Sequence, residues 1–442
     1  VERYYMKIMK SILRRAGLFA AVLLALWAAL TASAAIPNER IHDNMLSSAL
    51  YFRDRQAFTE GAQFRSLQDN YADAILLNVA WNMGEGTPLV SALDSKYCSG
   101  GDYGVNWGLY RAVSAGDSPD TDYTRYWHGM AALVRPLLLM TDISGIRLIG
   151  TVAAFILLAV NAALLIRKKQ YFAAGALAGS FLCVHIWNIS LSMEYQPAVI
   201  VTLLLLPLYI VFAENDSAVI SLAVISGVTI AFFDFLTAET LTILVPLLII
   251  FIMRKQSGTL SGLRENAVLP AASGGSWTLA YAGTFLVKWT ASSLATGENK
   301  FSSALTSAEF RLTGATELSP VQQFFEAPAA NISVLFGGTS RMDWGAFWVG
   351  LLTSAAVIGA VFYLFHSREK FDRSFTLTML ILGAIPFVRF FLMNNHSYLH
   401  CFFTYRALAS SVMALSAVLW YSMELSPKMK KTPVKGGKKR GY

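Results

Sequence analysis

"GIRLIGTVAAFILLAVNAALLIRKK", residues 145–169, decides the fold. Residues 145–166 are long and apolar enough for one helix to cross a bilayer, which takes roughly 20 residues. The run then stops on three consecutive cations, 167–169. Comparable runs lie at 16–35, 171–190, 197–212, 218–233, 240–253, 269–289, 344–365, 375–392 and 407–422. Together they predict an all-α polytopic integral membrane protein with about ten transmembrane helices. Composition agrees. Of 442 residues, 55% are hydrophobic and 14% charged, with mean hydropathy +0.47. A soluble domain carries about 25% charged residues.

The net charge of +8 does not point to nucleic acid, because the cations cluster at the ends of apolar runs. That is how membrane topology is encoded. With Lys7, Lys10, Arg14 and Arg15 in the cytoplasm, "RKK" (167–169), "RK" (254–255), "REKFDR" (368–373) and the tail "KMKKTPVKGGKKR" also fall inside. The opposite turns, "SMEYQP" and "FDFLTAE", contain no Lys or Arg. Only "AENDS" (213–217) runs against the pattern. Both termini are therefore predicted to be cytoplasmic.

The segments divide accordingly. Residues 1–35 hold a basic head and the first helix. Their "ASA" ending also fits a secretory signal peptide, and an uncleaved helix is the preferred reading. Residues 36–144 form a large extracytoplasmic loop with interfacial helices. "ADAILLNVAWNM" has helical spacing, and "YWHGMAALVRPLLLM" is expected along the membrane surface, with Tyr126 and Trp127 at headgroup level. Helices two to seven occupy 145–289. A Gly-, Ser- and Thr-rich second loop, 290–343, reads as a lid. Helices eight to ten fill 344–423. The basic tail, 424–442, reads as a stop signal that touches anionic lipid. Cys98 and Cys401 both fall on the outer face, so a disulfide between them is open; Cys183 lies in an apolar run.

Unusual polar residues gather at the outer boundary. His396 and His400, in "NNHSYLH", are four apart and share a helix face. Asp69 and Asp73 are four apart in "LQDNYADAILL". Glu194, Asp234 and Glu239 sit in short outer turns. His128 and Arg135 precede the second helix, and Arg389 and Arg406 flank the histidines. Ionisable groups at membrane depth are costly and face cavities or one another. A transporter would place them near the midplane. An enzyme acting on a lipid headgroup would place them here, with cations for a phosphate and a carboxylate to take a proton from a hydroxyl. Plainer readings remain open: solvated faces for Asp69 and Asp73, hydrogen bonding or metal ligation for the histidines, and mutual neutralisation of Asp234 or Glu194 by Arg389 or Arg135.

The stretches "DNYADAILL", "YWHGMAALVRPLLL", "FFDFLTAE" and "NNHSYLHCFFTYR" resemble those of poorly characterised multi-pass envelope proteins of Gram-positive bacteria. The layout resembles the GT-C class of membrane glycosyltransferases. That resemblance implies a sugar donor on polyprenyl phosphate, an envelope glycan or lipid acceptor, and a bacterial cytoplasmic membrane. It also implies inverting single displacement with a base in the first outer loop. Asp43, in "PNERIHDNM", competes with Asp69 and Asp73 for that role, since the acid in this class often follows the first helix closely. His128, Arg135, Glu194, Asp234, Glu239, His396, His400 and Arg406 would bind substrate, with Arg406, His396, His400 or Arg135 supplying positive charge to the leaving phosphate. No metal ligand set is assigned; a divalent metal is compatible and not required. The alternatives are a transporter or flippase for a lipid-linked or small polar solute, and a non-catalytic envelope assembly protein.

Overall fold

Each of the ten apolar runs folds as a helix in the computed structural model, which describes residues 2–60, 67–314, 316–339, 342–367 and 372–425. Most of "REKFDR" and the tail from residue 426 onward lie outside the described residues. Among the described residues, seven helices are long and apolar enough to span: Met9–Ala34, Ile143–Arg167, Met193–Val211, Asp216–Phe233, Trp344–Leu364, Arg373–Leu392 and Cys401–Ser422. The chain is a multi-pass membrane protein.

The remaining three runs depart from simple spans for identifiable reasons. The 171–190 run is helical only over Tyr171–Cys183, about 20 Å at 1.5 Å per residue. His185 then adopts a left-handed backbone (φ 53°), and Ile186–Leu191 continues as a 3-10 helix. Leu241–Ser257 is enclosed by its neighbours, with every residue from Leu241 to Met253 buried. Leu263–Thr296 is far longer than its apolar stretch, at 34 residues. Its buried Lys288 donates to the Ala92 and Leu93 carbonyls at 3.2 and 3.0 Å, tying this helix to the first long connection.

Lipid gives little hydrophobic drive for helix association, so close packing and small residues matter. Gly227, on Asp216–Phe233, illustrates this: a Cβ there would lie 2.5 Å from the Trp277 carbonyl oxygen of Leu263–Thr296. Two buried apolar clusters result. One fills the helix bundle. The other joins Met9–Ala34, Asp216–Phe233 and the 36–144 segment.

The 36–144 segment is mainly helical, as its periodicity predicts. Its main helices are Asn38–Arg53, Asn70–Asn82, Gly104–Ala115 and Ala131–Leu137. Two small antiparallel pairs add what the sequence did not signal: Phe58–Glu60 with Leu67–Asp69, and Lys96–Tyr97 with Thr121–Asp122. "YWHG" is not a headgroup anchor. Trp127 is fully buried and donates from Nε1 to the Thr284 carbonyl at 2.8 Å. Gly129 lies against Asp216–Phe233, where a Cβ would sit 2.4 Å from the Phe232 carbonyl oxygen. In the 290–343 segment, Lys300–Thr313 and Pro320–Leu335 form helices. All three cysteines are free, so Cys98 and Cys401 do not pair.

Candidate active site

Asp69 ends the Leu67–Asp69 strand and caps the Asn70–Asn82 helix, accepting the Ala72 N–H at 2.8 Å. Asn70 braces this corner by donating to the Gln56 carbonyl at 3.0 Å. Asp69 is 3% exposed. Burial, opposed in part by the Ala72 bond and aided by the charge of Asp73, pushes its carboxyl up to about 7. Its side chain also shares a hydrogen bond with Glu194. Two carboxyl groups can bond in this way only when one of them holds a proton.

Asp73, one turn later, does different work. It accepts from Arg147 Nε at 2.7 Å, the Ser192 hydroxyl at 2.7 Å and the Met193 N–H at 2.8 Å. This tie holds the Met193–Tyr195 turn against the Asn70–Asn82 helix and so sets Glu194 beside Asp69. A second buried pair lies across the molecule. Arg389 Nε donates to Glu239 at 2.7 Å and Nη1 to the Ser397 hydroxyl at 3.3 Å. It fixes the Asn394–Leu399 helix, which carries His396, to the turn after Asp216–Phe233. Asp234 is used inside that turn, where it accepts the Thr237 N–H at 2.8 Å.

These supports frame a cavity of about 120 Å³, lined by Asp69, Glu194, His128, His396, His400 and Arg311 among polar groups, and by Phe58, Tyr71, Tyr123, Tyr126, Phe235 and Phe403 among aromatic ones. The His396 and His400 ring centroids are 4.8 Å apart, and His400 stacks on Phe403. Burial first, and then neighbouring His400, Arg389 and Arg311, holds His396 well below its ordinary range. Burial, Arg311 and Arg389 bring His400 to about 4. Both rings are therefore uncharged at neutral pH and add polarity, not positive charge. His128 is held at about 3, chiefly by burial. Its Nε2 must donate to the Tyr123 carbonyl, 2.9 Å away, which leaves Nδ1 as a buried lone pair with no partner.

Arg311 supplies the cavity's positive charge. It projects from Lys300–Thr313, lies over the Tyr126 ring at 5.4 Å, and has a buried Nε without a hydrogen-bond partner among the described residues. Arg311 and Tyr126 also border an adjoining apolar groove of about 370 Å³, lined by Leu236, Tyr281, Phe285, Leu286 and Trp289 with Arg125 at its edge. The polar cavity and the apolar groove thus meet at one arginine and one tyrosine.

No protein family, curated protein or solved structure matches this chain. Among the described residues, no group of three or more His, Cys, Asp or Glu side chains is placed to hold a metal ion.

The remaining candidates lie elsewhere. Asp43 is fully exposed and pairs with His42 at 3.2 Å. Arg135 is completely buried and spent on backbone carbonyls, donating to Ser33 at 3.0 Å and also to Ala80 and Ile36. Arg406 stacks on Tyr195 at 4.3 Å beside a separate small cavity with His185 and Asn188. The sequence does not mark Arg311, because a lone arginine in a polar connection carries no distinguishing pattern. Arg147 is hidden for the opposite reason: it lies at the start of a long apolar run whose length dominates.

Proposed function

We propose that this protein is a membrane glycosyltransferase of GT-C-like layout, in which Asp69 is the base. It moves a sugar from a polyprenyl-phosphate donor to an extracytoplasmic envelope glycan or lipid acceptor. The chain crosses a bacterial cytoplasmic membrane about ten times, with both ends of this sequence inside, as its positive charges direct. One observation carries the reading: a polar cavity with a buried carboxylate adjoins an apolar groove, the two sharing Arg311 and Tyr126 as lining. A lipid-linked sugar has the same division. Its sugar fits the polar side, its phosphate meets Arg311, and its chain lies against Phe285 and Trp289.

The chemistry follows from the groups. Asp69, as carboxylate, takes the acceptor hydroxyl proton. The freed oxygen forms a bond to the anomeric carbon, and the bond from that carbon to the phosphate oxygen breaks. The electron pair leaves with polyprenyl phosphate, whose charge faces Arg311. A base near 7 is matched to neutral pH. Transfer should therefore rise with pH through about 7 as Asp69 loses its proton. Asp69→Asn keeps size and cap geometry and is expected to reduce transfer roughly 100-fold or more. The assay is transfer from a defined polyprenyl-phosphate sugar by purified, reconstituted protein, with melting temperature checked alongside. Normal transfer by a folded Asp69→Asn protein would exclude the assignment.

A further inference from the structure

A second groove, remote from the Asp69 cavity, runs between the first helix and Leu263–Thr296. It encloses about 400 Å³ and is lined by Ile12, Arg15, Ala16 and Phe19 on one side, and by Ser276, Leu279, Ala280 and Gly283 on the other, with Val224 behind. Its rim is lipid-facing: Ile12 and Leu279 are 54% and 77% exposed. Helix pairs in a membrane normally close such gaps by packing, and this one stays open. Arg15 stands at one end of it, about 28 Å along the helix from Ala34 at 1.5 Å per residue. That distance is close to the thickness of a hydrocarbon core, so Arg15 lies at the membrane border opposite the Asp69 cavity. Its Nε is buried and has no hydrogen-bond partner, and no carboxylate pairs with it among the described residues. Lys10 and Arg14 extend the same positive end.

We infer that this groove is a binding site for an anionic phospholipid, with the phosphate on Arg15 and one acyl chain lying along Phe19, Leu279 and Gly283. The charge is complementary: the site offers a guanidinium whose Nε is unpartnered, with further cations beside it and no acid to neutralise it among the described residues. Basic recesses between membrane helices take anionic headgroups for this reason. The shape also fits. Below the phosphate the lining is apolar, and Gly283 leaves room, since a Cβ there would only reach ordinary contact with Phe19 at 3.4 Å. The site is independent of the transferase proposal, because none of its residues borders the Asp69 cavity.

Native mass spectrometry of the full chain, released from nanodiscs of phosphatidylcholine with one-fifth phosphatidylglycerol, tests this. Wild type should retain phosphatidylglycerol selectively. Arg15→Gln should reduce that retention about fivefold, on the scale of one charged contact at a membrane, while Arg14→Gln should reduce it distinctly less, because Arg14 is exposed and does not line the groove. Gly283→Leu, which fills the groove and keeps every charge, should also displace the lipid. Equal losses in Arg14→Gln and Arg15→Gln would reduce the effect to general surface attraction and overturn the site. So would retention by Gly283→Leu, or a mass showing a second copy of the chain in place of lipid.

Discussion

Two regions of this molecule bury ionisable groups beside each other and use them in opposite ways. Asp73 and Glu239 each have a counter-charge: Arg147 faces Asp73 and Arg389 faces Glu239, each at 2.7 Å, while the Ser192 hydroxyl also donates to Asp73 and the Ser397 hydroxyl accepts from Arg389. Around Asp69, no cation pairs with the carboxylate among the described residues; Glu194 shares a hydrogen bond with it, and the nearby histidines are neutral. Asp69 and Asp73 begin the same helix one turn apart and are both withdrawn from water. What separates them is what faces each. Asp73 is paired with Arg147 and serves as a strut, whereas Asp69 is kept near the point where it can gain or lose a proton.

The largest expected effect comes from breaking a strut. Arg147→Met leaves Asp73 buried with only neutral donors, a loss of about 3–5 kcal/mol, read as a lowered melting temperature in detergent. The double change Asp73→Leu with Arg147→Met removes both charges and should recover much of that loss. If Arg147→Met melted like wild type, Asp73 and Asp69 would not differ in the way described.

The cavity should respond to pH instead. Asp69 is raised from about 3.9 in the unfolded chain to about 7 in the folded protein. The folded state therefore binds this proton more tightly. Its contribution to stability is complete below about pH 4 and is lost as pH rises through about 7. Asp69→Asn should remove this part of the pH dependence, an effect on the order of 1–3 kcal/mol at neutral pH, and should be at least as stable as wild type there. Melting curves across pH 4 to 8 decide it. An unchanged pH profile in Asp69→Asn would mean that another buried acid is responsible.

The sequence displays the helices plainly, because a run such as 145–166 has no soluble alternative and its flanking "RKK" marks an end. It displays part of the cavity as well. Asp69, Glu194, His128, His396 and His400 stand out as polar residues in apolar surroundings, and they meet in one hollow. What it does not display is which of two identical residues is paired. Asp69 and Asp73 differ only through Arg147, 74 positions away, and no local pattern records that. Arg135 misleads for the same reason: its cation looks free in sequence and is consumed by three carbonyls from two separate segments. Trp127 looks like a headgroup anchor until the Leu263–Thr296 helix closes over it.

The smallest effect is expected at Asp43, and it sharpens the contrast from the outside. In the implied family layout an acid soon after the first helix is the natural base, and position 43 fits that description better than position 69. Asp43, however, is open to solvent with only His42 beside it. A base gains from exclusion of water, which an exposed carboxylate lacks. Asp43→Asn should change stability by less than about 0.5 kcal/mol and leave transfer rates within twofold, a ratio worth about 0.4 kcal/mol. Parallel assays of Asp43→Asn and Asp69→Asn thus separate chain position from burial as the property that makes a carboxylate chemically useful. A severe loss at Asp43 with none at Asp69 would mean that position after the first helix, not the enclosed cavity, selects the base.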